Sequence, residues 1–135
     1  MSLQWALRWY GLIPEQVFLV TSMTTKHTRE FSTPIGNFSY RQVPTKYFSI
    51  GVRNLEENGY YSLIATPEKA LCDTMVYYDR FVPNQSLVRL EEYLEEDMRF
   101  DTDALKDFDI SIIESCAQMG KKENILNNLV KLIKR

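Results

Sequence analysis

The feature that most constrains this chain is a change of period at Thr66-Pro67-Glu68. Before it, short runs of β-branched and aromatic residues alternate with turn residues. After it, apolar residues recur every three or four positions almost to the end. A hydroxyl cap, a proline at the first helical position and a carboxylate in the first turn together form a helix start. The proline lacks only an N–H that has no partner there, and the carboxylate faces the positive end of the helix dipole. A chain that places its strands first and its helices afterwards builds an α+β domain. The expectation is a single domain over residues 1–135. Residues 1–65 supply one helix and a small, mostly antiparallel sheet of about four or five strands; residues 66–135 supply a four- to five-helix half.

In the first half, Ser2 can cap a helix from Leu3 to Tyr10 that Gly11 ends in the left-handed region. Leu3, Ala6, Leu7 and Tyr10 keep the spacing of one buried face, while Trp5 and Trp9 make a second apolar face. Val17 to Thr21 reads as a short strand. Thr25 to Ser32 and Asn37 to Val43 read as a hairpin around Thr33-Pro34-Ile35-Gly36, a type I turn closed by a left-handed glycine. Tyr47 to Arg53 and Tyr60 to Ala65 read as a second pair, with Asn58-Gly59 in the turn. In the second half, helices are expected over Thr66 to Arg80, with Leu71, Met75 and Tyr78 inward, and over Ser86 to Met98. A short one comes next at Thr102 to Phe108. Two more run from Asp109 to Gly120, with Ile112, Ile113, Cys116 and Met119 inward, and from Lys121 to Lys134.

With 44% hydrophobic residues in 135, the chain has material for a core. No stretch approaches the roughly 18 consecutive apolar residues of a membrane span, so no membrane partner is expected. No secretory signal pattern occurs at Met1 to Tyr10, which makes the cytoplasm the default compartment. Cys72 and Cys116 read as two buried thiols rather than a disulfide. Charge is unevenly spread. Met1 to Ala65 carries six basic and four acidic residues, Thr66 to Gly120 five and thirteen, and Lys121 to Arg135 five and one. Either these are separate working surfaces or they are ordinary solvated faces.

Reactive chemistry has little footing. His27 is the single histidine and has no ligand or nucleophile spaced beside it, so a solvated strand-face histidine is the reading. The five glycines fall singly at turns, with no phosphate loop. Glu68-Lys69 has the wrong spacing for two ligands on one strand, and a first-turn dipole role suffices. Asp73 and Asp79 are six apart and share no helix face closely. No catalytic residue, metal ligand or cofactor site is expected, and the chain reads as a non-enzyme.

Two features invite binding. Lys26, Arg29 and Arg41 lie in or beside the hairpin, and closure at Thr33 and Asn37 sets Arg29 opposite Arg41. Like charges opposite one another destabilise a sheet unless an anion such as a nucleic-acid phosphate neutralises them. The plain alternatives are a one-residue register shift, or arginines that splay into water. Trp5 and Trp9 offer a contact surface for a preceding domain or a second copy of the chain, unless later helices cover them. The acidic run Glu91, Glu92, Glu95, Glu96 and Asp97 could meet a basic protein, and a solvated face is the favoured reading. The late cations Lys121, Lys122, Lys131, Lys134 and Arg135 suit a helix C-terminus.

Three stretches, in order, resemble the AbiEi family of antitoxin regulators. Ser2 to Pro14 (SLQWALRWYGLIP) is similar to the family's SLxxALxYYGLIPE opening. Val20 to Lys26, with Arg29, Phe31, Pro34, Gly36, Phe38, Ser39, Tyr40 and Arg41, looks like its VTSVTTxRTRxFxTPxGxFxYR hairpin. Leu63 to Asp73 (LIATPEKALCD) is similar to its LIATPEKALLD helix start. The likeness covers about the first half of the chain, and the rest is generically helical. It implies a non-catalytic antitoxin of a two-gene abortive-infection system against phage, with a nucleotidyltransferase-type toxin as functional partner. Family members carry an N-terminal winged helix that binds their own promoter. This chain begins where their second domain begins, so promoter DNA would be reached through that missing domain. A stable complex with the toxin is not implied. The other reading is a nucleic-acid-binding module that uses the basic hairpin.

Overall fold

The α+β class read from the sequence is the one observed. The computed structural model of the chain describes residues 1–14, 19–34, 36–57, 59–79, 82–84 and 86–135. The first half holds α1 (Leu3–Trp9), β1 (Leu19–Thr24), β2 (Arg29–Thr33), β3 (Gly36–Gln42), α2 (Thr45–Phe48), β4 (Val52–Glu57) and β5 (Tyr60–Ala65). The second holds α3 (Pro67–Asp73), running on as a π turn over Thr74–Tyr78, and α4 (Leu87–Glu92), running on as a π turn over Tyr93–Asp97. A 3-10 turn at Thr102–Asp107 precedes α5 (Ile110–Met119) and α6 (Glu123–Lys134). Thr66, Ser86 and Asp109 cap α3, α4 and α5 as their side chains allow, each accepting from a backbone N–H of the first turn.

The five strands of the described residues divide between two small sheets rather than joining one. In the first, β3 lies between β1 and β2, parallel to β1 and antiparallel to β2. In the second, β4 and β5 form an antiparallel ribbon. Helix α3 is the hub, packed against α1 and α5; α5 packs on α6, and α6 on α4. Ile125, Leu126, Leu129 and Val130 of α6 are buried, each stabilising by about 1.5–3 kcal/mol relative to exposure.

Several expectations need correction. The strand expected over Tyr47 to Arg53 is a turn of helix succeeded by β4. Pro44 starts that turn, Phe48 N–H donates to the Pro44 carbonyl at 2.9 Å, and the Tyr47 side chain is wholly buried. Tertiary packing of one ring here overrides the β preference of the run. The strand expected from Thr25 begins only at Arg29. Lys26 N–H donates to Thr24 Oγ1 at 3.1 Å and Gln42 N–H to Thr28 Oγ1 at 3.0 Å, so hydroxyls take up backbone groups that a ladder would use. Val17 and Phe18 of the first expected strand, Ile35 and Asn58 in the expected turns, and Arg80 at the end of the helix expected from Thr66 lie outside the described residues.

Two inward assignments also fail. Tyr78 is 53% exposed and Tyr77 is buried in its place. The π turn is the cause: Asp79 N–H reaches back five residues to the Thr74 carbonyl at 2.9 Å. One extra residue per turn rotates the side chains beyond it around the helix axis. Met119, in the last turn of α5, is also exposed.

Candidate functional site

A buried joint forms where α1, β1, α2 and α3 meet. Ser2 is placed as the cap of α1, yet its side chain makes no cap bond. Its hydroxyl donates to Asp73 Oδ2 in a short hydrogen bond. Tyr47 OH donates to Asp73 Oδ1 at 2.6 Å, and Lys69 Nζ lies 3.4 Å from that same oxygen. Lys69 Nζ also stands 4.1 Å from the Tyr47 ring centroid, a cation over an aromatic face. Strand β1 joins through Thr21, whose hydroxyl donates to the Ser2 carbonyl at 2.8 Å. The Lys69 and Asp73 side chains are only 2% and 1% exposed. Burial raises the Asp73 pKa, although Lys69, Ser2 and Tyr47 each pull it down. Burial and the Asp73 charge push the Tyr47 phenol far up, so it stays a donor.

A pocket of about 220 Å³, lined in part by Ser2, Met23, Tyr40, Phe48, Lys69 and Asp73, reaches the edge of this joint. A carboxylate with a raised pKa is in general a candidate base. Here both oxygens already accept from side chains, so a substrate proton would have to displace Ser2 or Tyr47. The arrangement holds four segments together. Sequence reasoning misses it because it weighs Lys69 with Glu68 and Asp73 with Asp79, and not Lys69 with Asp73. The signal was available: an i, i+4 opposite-charge pair, with Lys69 just before and Asp73 within the mostly apolar run Ala70 to Tyr78. Glu68 also does more than face a dipole, accepting from Asp109 N–H at 2.8 Å at the start of α5.

The three expected anion contacts do not form one site. Thr33 pairs with Gly36, so the hairpin closes one residue earlier than expected. Arg29 then faces Tyr40, while Arg41 pairs in backbone register with Met23 of β1. Successive residues of a strand point to opposite faces, so Arg41 leaves the face that Arg29 and Tyr40 share. Lys26 and Arg29 line a groove of about 680 Å³ together with Thr24, Thr25, His27, Phe31, Tyr40 and Gln42. Phe31 and Tyr40 meet edge to face in it, centroids 6.0 Å apart, and both are exposed. Arg41 instead lines a second pocket with Tyr77, Tyr78, Asp79, Lys121 and Lys122. His27 is exposed.

Trp5 and Trp9 stack, centroids 5.7 Å apart and planes at 12°. Trp5 packs against the core and Trp9 stays 46% exposed, so the pair is half covered. Cys72 and Cys116 are buried free thiols, and the Cys116 thiol together with burial drives the Cys72 pKa upward. Among the described residues no group of three or more His, Cys, Asp or Glu side chains is placed to hold a metal ion. Nor is any helix of the described residues long and apolar enough to cross a membrane. Comparison of the chain with known protein families, curated proteins and solved structures found no match in any of the three.

Proposed function

We propose that the chain is a non-catalytic, cytoplasmic antitoxin module of an AbiEi-like phage-defence system, counteracting a nucleotidyltransferase-type toxin. One observation supports this most directly. The three stretches that resemble the family are far apart in sequence, yet each contributes to the joint at Asp73: Ser2 from the first, Thr21 from the second, Lys69 and Asp73 from the third. Residues shared with a family for a common scaffold are expected to meet in this way. The joint ties up its own polar groups, which leaves outer surfaces to act. Promoter binding would come through a winged helix joined to this module, and stable association with the toxin is not required by the reading.

The test is co-expression of this chain with a nucleotidyltransferase-type toxin of such a system. Rescue of growth by the chain without a winged helix is expected, and it should survive substitution of exposed residues remote from the acting surface. No rescue by a chain shown to be folded would overturn the reading. A second reading, a nucleic-acid-binding module, is favoured by one specific feature. The groove of Lys26 and Arg29 carries two exposed aromatic rings, the pairing of cations and stacking faces that suits single-stranded nucleic acid.

A further inference from the structure

We infer that the pocket between β3 and the α5–α6 turn is an anion site that takes a phosphate monoester. It goes beyond the antitoxin reading and lies apart from the hairpin groove. Three cations reach it from two remote parts of the chain: Arg41 from β3, and Lys121 and Lys122 from the turn before α6. Among the described residues Asp79 is the one carboxylate in the lining, and its Oδ2 accepts from Tyr93 OH. Among the described residues, three positive charges therefore stand against one negative charge that is already hydrogen-bonded.

The cations are held in different ways. Lys122 adopts a left-handed backbone at φ 55°. Its Nζ donates to the Asp79 carbonyl at 3.0 Å and reaches the Met75 carbonyl at 3.5 Å, so it braces the end of the π turn. Lys121 Nζ lies 5.9 Å from the Tyr77 ring centroid. Arg41 is exposed and, among the described residues, has no hydrogen bond or salt bridge, which leaves its planar donor fork for a phosphate. Helix α6 starts directly after Lys122 and adds the partial positive charge of a twelve-residue helix.

An independent feature points to the same place. Tyr77 is 8% exposed, and its hydroxyl is the buried side-chain polar atom without a hydrogen-bond partner among the described residues. A buried polar group left unpaired costs stability. Tyr77 is part of the pocket lining, and a phosphate bound there is the partner proposed for this hydroxyl. The pocket, about 460 Å³, is larger than a phosphate needs, and the exposed Tyr78 ring lines the surplus, where a base or sugar attached to the phosphate would lie.

The test is calorimetric titration of the whole chain at fixed ionic strength, with inorganic phosphate and separately with adenosine 5′-monophosphate. Both are expected to bind. A tighter nucleotide assigns Tyr78 to the base, and equal affinity restricts the site to the phosphate; either outcome supports it. Arg41→Gln and Lys121→Gln, both at exposed positions, should each weaken binding about tenfold. Tyr77→Phe should weaken binding while raising the melting temperature of the free chain, because the unpaired hydroxyl is gone. The double variant Lys26→Gln, Arg29→Gln should bind as the unaltered chain does. No binding of either ligand at millimolar concentration, or unchanged affinity in Arg41→Gln or Tyr77→Phe, would overturn the proposal. Rescue of growth in the toxin assay reads separately, so failure of one proposal leaves the other standing.

Discussion

Asp73 and Lys69 give up hydration almost entirely, and a buried ion pair of this kind contributes less to stability than to fixing one arrangement. Its protonation has a definite sign. The folded-state pKa of Asp73 is raised by burial. In the unfolded chain the group ionises in the ordinary carboxylate range, so above that range the folded state keeps a proton that the unfolded state has lost. This group's contribution to stability is therefore fully present below the ordinary range and is lost as pH rises through the raised value. Asp73→Asn removes the titration. The stability of the unaltered chain relative to Asp73→Asn, read from urea curves at several pH values, should decline with rising pH across that window; a flat difference contradicts the assignment. A second prediction concerns Gly120. A Cβ there would stand 2.7 Å from Tyr47 Cδ2, and the Tyr47 ring is pinned by its 2.6 Å bond to Asp73. Gly120→Ala should cost about 1–3 kcal/mol in denaturant unfolding, and a neutral result would mean that the ring gives way. The sequence shows Gly120 as a helix end, which it is, but not the aromatic ring that makes glycine necessary.

Among the elements, the legible ones are those that local chemistry decides. The caps Thr66, Ser86 and Asp109 announce α3, α4 and α5, because each needs only its own first turn. The parallel pairing of β1 with β3 was not legible, because no turn residue encodes a partner reached after an intervening strand. The π turns were not legible either, and they decide which tyrosine faces inward. Register was the costly detail. Moving the hairpin closure by one residue sent Arg41 to the opposite face and separated the cations that the sequence had grouped. The separation is measurable. Lys26→Gln with Arg29→Gln should lower affinity for a single-stranded oligonucleotide without terminal phosphates and reduce the dependence of log affinity on log salt by about 0.7 per cation removed. Arg41→Gln should leave that slope unchanged. An equal loss from all three would mean that one continuous surface binds.

For the whole molecule, segregation of strands and helices was readable and the resulting α+β class is observed. The assembly of the halves was not, since it rests on Ser2, Thr21, Tyr47, Lys69 and Asp73, which look unrelated along the chain. The exposed half of the tryptophan pair is the outermost trace of how α1 sits. Iodide should quench Trp9 and spare Trp5, so Trp9→Phe should leave a blue-shifted, poorly quenched emission. If Trp9 is equally protected in solution, its face is covered by a second copy or another domain. The Ser2–Asp73 bond spans 71 positions, and closing so wide a loop adds little to the equilibrium cost but delays the encounter. A chain emerging from the ribosome can therefore close its β2–β3 hairpin early, while α1 waits, without its final anchor, until the third helix has been synthesised.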